Sequence, residues 1–404
     1  MTAIADLPDI RPSLLLDFAN SGRVDPRIEC TRASSATCFG PDGKLRTVAA
    51  NTPRIDYDPA TGKCLGLLVE EARTNLLTHS ATFSSSTWIK TRSIISAATV
   101  IAPDGISFAE KLSEDTQNGA HYIYKNASFT VGSIYTLSIF AKKSERSVIN
   151  ISSGGTSGTN ALFDISAGTV LSAGNNASAN IRKCGEDWFL CSISFSATNA
   201  GSQTCVIGVG DNAGYQGDGV SGIYVWGVQL EVGSFPTSYI PTEGAAVTRA
   251  ADKVSVPYTT AGAGALFVHG RYDVAAPSTF FSVRARSEGN GYIGTPYCLT
   301  SGAVARSSYV RNNGGSPSNA VASGMNISTG LYKSVISWNG KNFASSSNGT
   351  ISNSMTHELE FPICTHIDLC TASSSGPVLG ASHIFQIAGY GAQLSPQNMQ
   401  RLTA

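Results

Sequence analysis

The sequence predicts an all-β protein that is built from tandem β-sandwiches. Only 14% of its 404 residues are charged, whereas an ordinary soluble domain carries roughly 25%. Its 41 glycines also exceed the usual share of about 7%. Serine, threonine and asparagine therefore supply most of the polar surface, as is typical of strand faces and turns. Strand-like runs recur about every 8 to 12 residues, which is the spacing of a sandwich.

A chain of this length predicts two or three domains, and its composition changes at two points. Residues 1–75 form a first, irregular zone in which proline, aspartate and arginine are frequent and hydrophobic alternation is poor. Short strands in this zone are expected to end at Asp-Pro, Pro-Asp-Gly and Ala-Thr-Gly turns. Residues 76–252 form the second zone, and residues 253–404 form the third.

The second zone has the clearest strand pattern. Tyr135, Leu137 and Ile139 alternate with Thr136 and Ser138, which is the period of two expected of a half-buried strand. Similar runs lie at residues 146–152, 160–171, 187–197, 203–210 and 222–232.

In the third zone, strand-like runs precede a predicted C-terminal helix. Ser395 is placed to cap this helix, Pro396 occupies its first position, and Leu394 and Met399 stand at staple positions.

Charge and cysteine usage exclude several classes of function. The net charge is zero and the pI is near 7, so nucleic-acid binding is not expected, because neutralising phosphates requires a basic surface. The nine cysteines contain no CxxC pair, which disfavours a zinc site. We interpret them as small buried hydrophobes, with a disulfide between Cys184 and Cys191 as the open alternative. No membrane insertion is expected, since no apolar stretch approaches 18 residues.

Two phrases flank the second zone. Residues 67–77 read LLVEEARTNLL, and residues 226–252 read WGVQLEVGSFPTSYIPTEGAAVTRAAD. Together they resemble the edges of a jelly-roll carbohydrate-binding-like module that recurs in bacteriophage tail-fibre, tail-spike and head-fibre proteins. The third zone, which ends in a strand, Leu-Ser-Pro and a short helix, is similar to the concanavalin A-like or laminin G-like lectin fold.

This resemblance carries several expectations. It implies that residues 1–75 serve virion attachment or oligomerisation, that residues 76–252 form the jelly roll, and that residues 253–404 form the lectin-like sandwich. It also implies a homotrimer whose partners are a host surface glycan and other virion proteins. The acidic start MTAIADLPDI does not resemble a signal peptide, and the expected location is therefore a virion that is made in the bacterial cytoplasm and released by lysis.

The two phrases are expected to be structural. Trp226 should point inward, and the proline-rich stretch 235–242 should form an extended strap, because proline lacks a backbone donor. Glu70, Glu71 and Arg73 in one phrase and Thr248, Arg249 and Asp252 in the other predict an ion pair that joins the flanks. A structural calcium site using Glu71 or Asp252 is the alternative, and no other cofactor is expected.

Sugar binding needs flat aromatic faces together with amides and carboxylates. The candidates in the second zone are Trp88, Tyr122, Tyr124 and, in the glycine-rich stretch 210–219, Asp211, Asn212, Tyr215 and Gln216. An ordinary hairpin connection is the alternative reading of that stretch. A second candidate patch comprises Tyr292, Tyr297, Tyr309, Arg311, Asn312 and Asn313.

Three functions are consistent with this pattern. The leading hypothesis is a virion fibre or spike protein that binds host cell-surface polysaccharide and so promotes attachment. A purely structural virion adaptor or decoration protein is the first alternative, and a polysaccharide-degrading enzyme is the second. No catalytic constellation is recognisable, because nothing in the sequence marks the pair of carboxylates that glycoside hydrolysis needs.

Overall fold

A computed structural model confirms the all-β class and the tandem sandwiches. It describes residues 10–211, 213–272, 283–287, 292–299, 305–311, 318–321, 330–351, 354–356, 361–369 and 381–404. Within these ranges the chain forms 34 strands and two short helices. The backbone of Tyr292, Tyr297 and Tyr309 belongs to strands, but the side chains of the second candidate patch lie outside the described residues.

The elements are numbered in chain order. The first zone contains β1 (Leu14–Asp17), α1 (Phe18–Ser21), β2 (Glu29–Thr31), β3 (Ala36–Phe39), β4 (Leu45–Val48), β5 (Arg54–Tyr57), β6 (Cys64–Glu70) and β7 (Arg73–Asn75). The second zone contains β8 (Ile89–Thr91), β9 (Ser93–Ile101), β10 (Phe108–Glu114), β11 (Asn118–Gly119), β12 (His121–Phe129), β13 (Ile134–Lys143), β14 (Val148–Ser153), β15 (Ala161–Asp164), β16 (Thr169–Ala173), β17 (Ser178–Lys183), β18 (Trp188–Ser196), β19 (Gly201–Val209), β20 (Tyr215–Gln216), β21 (Gly222–Val232) and β22 (Val247–Arg249).

The third zone contains β23 (Lys253–Pro257), β24 (Ala263–Tyr272), β25 (Val283–Arg286), β26 (Tyr292–Leu299), β27 (Ala305–Arg311), β28 (Ser318–Val321), β29 (Leu331–Asn339), β30 (Asn342–Ser347), β31 (Thr350–Ile351), β32 (Met355–Thr356), β33 (His366–Leu369), β34 (Ala381–Tyr390) and α2 (Pro396–Thr403).

The second zone folds into a sandwich of two six-stranded sheets. Sheet A has the order β17-β18-β13-β21-β10-β9, and sheet B has the order β16-β15-β14-β19-β12-β8. Alternate residues of both sheets meet in one core, for example Leu137 and Ile139 from sheet A with Ile123, Ile149 and Ile207 from sheet B. Every second residue of a strand faces the core, so the residues between them form the outer faces of the sandwich.

Strand pairing within this sandwich is nested. β10 pairs with β21 and β13 with β18 in sheet A, whereas β12 pairs with β19 in sheet B. The chain thus alternates between the sheets while it builds successively inner pairs, which is the topology of a jelly roll.

The second sandwich is made by both ends of the chain. Its larger sheet, sheet C, has the order β31-β30-β29-β24-β34-β6-β5, with β1 on β34 and β32 on β30. Its other sheet, sheet D, has the order β2-β23-β33-β25-β26-β27-β28. Leu266 and Val268 from sheet C pack with Val256, Val283 and Ile367 from sheet D.

This topology departs from the predicted separation of residues 1–75. β1 and β6 both pair with β34, and β2 pairs with β23. The first zone therefore supplies strands to both sheets of the second sandwich, because its short apolar runs find partners at the far end of the chain. Its role in virion attachment or oligomerisation stays a prediction.

The C-terminal helix has the predicted cap. Ser395 Oγ accepts a hydrogen bond from the backbone N–H of Asn398 at 3.2 Å, and Pro396 opens α2. Leu394, Met399 and Leu402 are buried against Phe267 and Tyr390 of sheet C. The helix therefore covers the side of sheet C that faces away from sheet D.

A buried ion-pair network joins the two flanking phrases, as predicted. Arg249 Nη2 lies 3.6 Å from Glu70 Oε2, and Arg54 Nη1 lies 2.8 Å from the same oxygen. Asp252 binds Arg54 and, at 2.7 Å, Arg32. Arg32 and Arg54 come from the first zone and lie outside the two flanking phrases, so those phrases do not predict them. These arginines occupy the carboxylate oxygens that the calcium alternative required of Asp252.

The described cysteines are free thiols. Cys184 and Cys191 are both buried and unbridged, so the disulfide alternative is wrong in this structure. Burial raises the pKa of the Cys38, Cys205 and Cys364 thiols to about 12, which agrees with their interpretation as small hydrophobes.

Among the described residues, no helix combines the length and the apolar character needed to span a bilayer.

Candidate functional site

Trp88 lies in the core of the jelly roll. Its side chain is 1% exposed and packs edge-on against Phe83, with 5.2 Å between ring centroids. Its Nε1 donates to the carbonyl of His79 at 3.2 Å, and Lys125 Nζ lies 5.5 Å from the ring centroid. A ring that is covered in this way has no free face, so the structure corrects the predicted sugar-stacking role of Trp88 to a packing role.

Tyr215 is held by a polar cluster at one end of the jelly roll. Its hydroxyl donates to Glu114 Oε2 at 2.6 Å, and the guanidinium of Arg146 lies 5.3 Å from its ring centroid. The ring also packs against His121 at 4.8 Å. Burial and the hydrogen bond to Glu114 raise the pKa of Tyr215. These contacts fix the tyrosine in place and use its hydroxyl.

The other residues of that stretch serve the loop itself. Asp211 Oδ1 accepts from the backbone N–H of Ala213 at 3.1 Å, and the side-chain amide of Gln216 donates to the carbonyl of Thr116. Asn212 lies outside the described residues. Asp211, Tyr215 and Gln216 are therefore engaged in local structure, in line with the hairpin-connection reading.

Tyr122 and Tyr124 are placed as a binding pair would be. Ile123 between them points into the core, so both tyrosines project from the outer face of sheet B, where they are half-buried. Their ring centroids are 6.2 Å apart, and the ring planes are inclined by 44°. Two adjacent phenol rings on a sheet face form an amphipathic platform, apolar in the rings and polar at the hydroxyls.

Strand register places Gly208 and Asn150 beside this pair. Tyr122 is opposite Gly208 of β19, and Gly208 is opposite Asn150 of β14. A Cβ on Gly208 would lie 3.3 Å from the Cβ of Tyr122 and 3.6 Å from that of Asn150. A Cβ would therefore be crowded against the tyrosine, so glycine fits between the two residues without displacing a neighbour.

Asn150 is unusual because it is 2% exposed and its amide is unsatisfied. Among the described residues, neither its Nδ2 nor its Oδ1 has a hydrogen-bond partner. A buried polar group without a partner costs about 1–3 kcal/mol, so each such group in a folded protein calls for an explanation.

We use the name tyrosine face for the set of neighbouring residues Thr91, Tyr122, Tyr124, Asn150, Ser152 and Gly208.

A concave region lies on the side of the jelly roll opposite the tyrosine face. The outer face of sheet A, the strap at residues 234–239 and strands β5, β6 and β34 enclose a cleft of about 1000 Å³. The strap runs as predicted, since the backbone N–H of Ile240 donates to Gln229 Oε1 at 2.7 Å. We call this space the inter-sandwich cleft.

The direction of Trp226 differs from the prediction. Gly227 has a φ of 62°, and the register between β13 and β21 shifts at this point. The resulting bulge turns Trp226 away from the jelly-roll core and packs it against Phe140 and Tyr239 beneath the strap. Trp226 is thus buried as expected, but on the outer side of sheet A.

Comparison with known proteins gives only weak likenesses. No protein-family model matches the sequence, and no curated protein matches it. The carbohydrate-binding module CBM40 of the Ruminococcus gnavus IT-sialidase, solved with α2,3-sialyllactose, is 15% identical over 35% of this chain and 83% of its own, with a TM-score of 0.28. Domain 4 of AbnA, a GH43 extracellular arabinanase from Geobacillus stearothermophilus, was solved with arabinotriose. It is 13% identical over 42% of this chain and 83% of its own, with a TM-score of 0.31.

A third similar structure is the Trypanosoma rangeli sialidase in complex with sialic acid. It is 10% identical over 93% of this chain and 76% of its own, with a TM-score of 0.25. Because all three TM-scores are below 0.5, these likenesses carry no argument about this protein.

Sequence reasoning found the tyrosine pair but missed Asn150 and Gly208. A signal for Asn150 was present, since it interrupts the apolar stretch VINIS at an outward position between Ile149 and Ile151. Gly208 gave no such signal, because its importance depends on the register of three strands.

Among the described residues, no group of three or more His, Cys, Asp or Glu side chains is placed to hold a metal ion.

Proposed function

We propose that this protein binds glycans through the tyrosine face of its jelly roll. The observation that carries the proposal is the position of the paired Tyr122 and Tyr124 rings beside the unsatisfied amide of Asn150. A sugar ring offers an apolar side that packs on an aromatic face and hydroxyls that both donate and accept hydrogen bonds. The Asn150 amide has two donors and one acceptor oxygen that match such hydroxyls, and because both atoms are buried in the unbound protein, this contact requires the covering side chains to move on binding.

The surroundings favour a sugar over a charged ligand. The residues of the tyrosine face are uncharged, and Thr91 and Ser152 add hydroxyls on either side of the pair. Ile89 and Val206, which lie opposite Tyr124, extend its apolar surface. A site of this kind is shallow and gives weak individual contacts, so effective attachment would need several copies acting together.

Within this function, we propose that the protein is a fibre or spike component of a phage or phage-like virion that attaches to host cell-surface polysaccharide. The support is the resemblance of the two flanking phrases to those of phage fibre modules, together with the low charge of the chain. A homotrimer would supply the required avidity. Light scattering tests this directly, with a mass of three chains expected and a monomer as the contrary result.

A cell-binding experiment tests the glycan proposal. Fluorescently labelled protein is incubated with intact host cells and with isogenic cells that lack surface polysaccharide, and binding is measured by flow cytometry. We expect binding to the first cells and its loss on the second. Equal binding to both would favour a structural adaptor, and release of new reducing ends from purified polysaccharide would favour an enzyme.

A further inference from the structure

The geometry points to a second glycan-binding site in the inter-sandwich cleft, on the opposite side of the jelly roll from the tyrosine face. We infer that this cleft holds a stretch of several sugar residues from a polysaccharide chain. The inference rests on the lining of the cleft, on its size and on the way its walls are fixed to each other, none of which involves the tyrosine face.

Strand pairing arranges the floor of the cleft in rows that cross sheet A. The central row is polar and consists of Asn180, Ser192, Ser138 and Gln229. The row on one side begins with Ser178 and Ser194, and the row on the other side begins with Arg182, Leu190 and Phe140. Amides and hydroxyls thus lie next to a row that begins with the exposed Arg182 and continues with the buried Leu190 and Phe140, and amides and hydroxyls are the groups that hydrogen-bond the hydroxyls of a sugar chain.

The size of the cleft matches a chain of sugars better than a single one. Its volume of about 1000 Å³ lies at the upper end of the range of roughly 300–1,000 Å³ that is usual for ligand pockets. The exposed Ser178 and Asn180 lie on the edge strand β17, so the cleft is open along one side. A polysaccharide can therefore enter from that side.

The walls of the cleft are fixed by buried contacts. Glu70 of β6 accepts hydrogen bonds from the backbone N–H and the hydroxyl of Ser238 in the strap, at 2.8 and 2.6 Å. Arg54 Nη1 reaches Glu70 at 2.8 Å and Ser238 Oγ at 3.0 Å. On the same wall, His383 Nε2 lies 2.8 Å from Asp56 Oδ2. Such preorganised walls lower the entropic cost of binding.

Two sites on opposite faces of one module would give each chain two points of attachment to a polysaccharide. The test compares four proteins on an array of purified bacterial polysaccharides, followed by calorimetry with a size-defined fragment of the best binder. The proteins are the wild type, Tyr122→Ala/Tyr124→Ala, Ser138→Ala/Asn180→Ala and the combination of all four changes. Asn118→Ala, an exposed strand amide outside the cleft, is the matched control.

We expect two sites per chain in the wild type and one site in each double variant. The combined variant should lose binding, and Asn118→Ala should behave like the wild type. Loss of two hydrogen bonds in the cleft should weaken that site about tenfold or more. Circular dichroism and thermal melting confirm that each variant is folded.

The outcomes separate the two proposals. If Tyr122→Ala/Tyr124→Ala abolishes all binding, the cleft is not a site and the tyrosine face stands. If only Ser138→Ala/Asn180→Ala abolishes binding, the cleft stands and the tyrosine face is wrong. If the wild type binds no polysaccharide on the array, both proposals are overturned.

Discussion

Asn150 and Gly208 lie directly opposite each other on neighbouring strands of sheet B, and a Cβ on the glycine would be crowded between Asn150 and Tyr122. Tyr122, whose side chain is half-buried, lies opposite Gly208 on the other side. This relationship is the basis of the functional account, because it places an unsatisfied polar group next to an aromatic platform.

Replacing Asn150 with leucine should separate stability from binding. An unsatisfied buried amide costs about 1–3 kcal/mol, so Asn150→Leu should raise the free energy of unfolding by about 1 kcal/mol while glycan binding falls. Urea denaturation and the polysaccharide array measure the two effects. A variant that is destabilised and binds normally would contradict the role given to Asn150.

Asn75→Leu is the matched control for this experiment. Asn75 is also a buried asparagine, but its amide bonds the carbonyls of Val228 and Ile240 at 3.1 and 3.0 Å and accepts from the backbone N–H groups of Leu77 and Leu230. Its replacement leaves these groups unpaired and should cost several kcal/mol, roughly 1–3 per group.

Replacing Asp252 with asparagine should show that the junction between the sandwiches depends on buried charge. Asp252 pairs with Arg32 and Arg54, all three with side chains that are almost fully buried. Removing one partner of such a network typically costs about 3–5 kcal/mol, and guanidinium denaturation should show a loss of this size. Asp42→Asn breaks the exposed pair with Arg46 and should change stability by less than about 1 kcal/mol; equal losses in both variants would argue against the network.

Stability should fall in acid as Glu70 is protonated. Burial alone would raise the pKa of Glu70, but Arg249 and Arg54 together with Ser238 lower it from 4.5 to about 2. The unfolded chain therefore takes up this proton first, so the stabilisation is complete above about pH 4.5 and is lost as the pH falls towards 2, a difference of about 3 kcal/mol. Denaturation midpoints between pH 6 and 2 should fall more steeply for the wild type than for Glu70→Gln, and parallel curves would count against this assignment.

Gly227→Ala should test the bulge that turns Trp226 outward. The alanine would be held at a φ of 62°, and its Cβ would lie 3.0 Å from Phe140 and 3.3 Å from Tyr239. Gly132 also has a positive φ, of 81°, but a Cβ there meets nothing within 4 Å. Both changes should cost about 1–2 kcal/mol for the backbone, and Gly227→Ala should cost more because of crowding. Equal losses in thermal melting would mean that packing at the bulge is loose.

Local signals explain which parts of this structure could be predicted. The alternation around Tyr135–Ile139 and the cap at Ser395 depend on neighbours in sequence, and both have the predicted form. The pairing of Leu14–Asp17 with Gln386–Gly389 joins opposite ends of the chain, and no local pattern encodes it.

The site residues follow the same division. Alternation around Ile123 predicts that Tyr122 and Tyr124 share a face. The close approach at Gly208 and the unpaired amide of Asn150 follow from the register of three strands, and the burial of Trp88 follows from the turn that folds it onto Phe83. A one-residue bulge at Gly227 was enough to reverse the side on which Trp226 lies, because strand faces alternate with a period of two.

The most direct test of the glycan proposal is calorimetric titration of the best-binding oligosaccharide into Tyr124→Ala. It is made in the Ser138→Ala/Asn180→Ala background, so that only the tyrosine face is measured. Tyr224→Ala, a half-buried tyrosine on the outer face of sheet A, serves as the control. We expect Tyr124→Ala to weaken binding about tenfold or more and Tyr224→Ala to leave it unchanged; equal affinity of the two variants would contradict the proposal that the tyrosine face binds glycans.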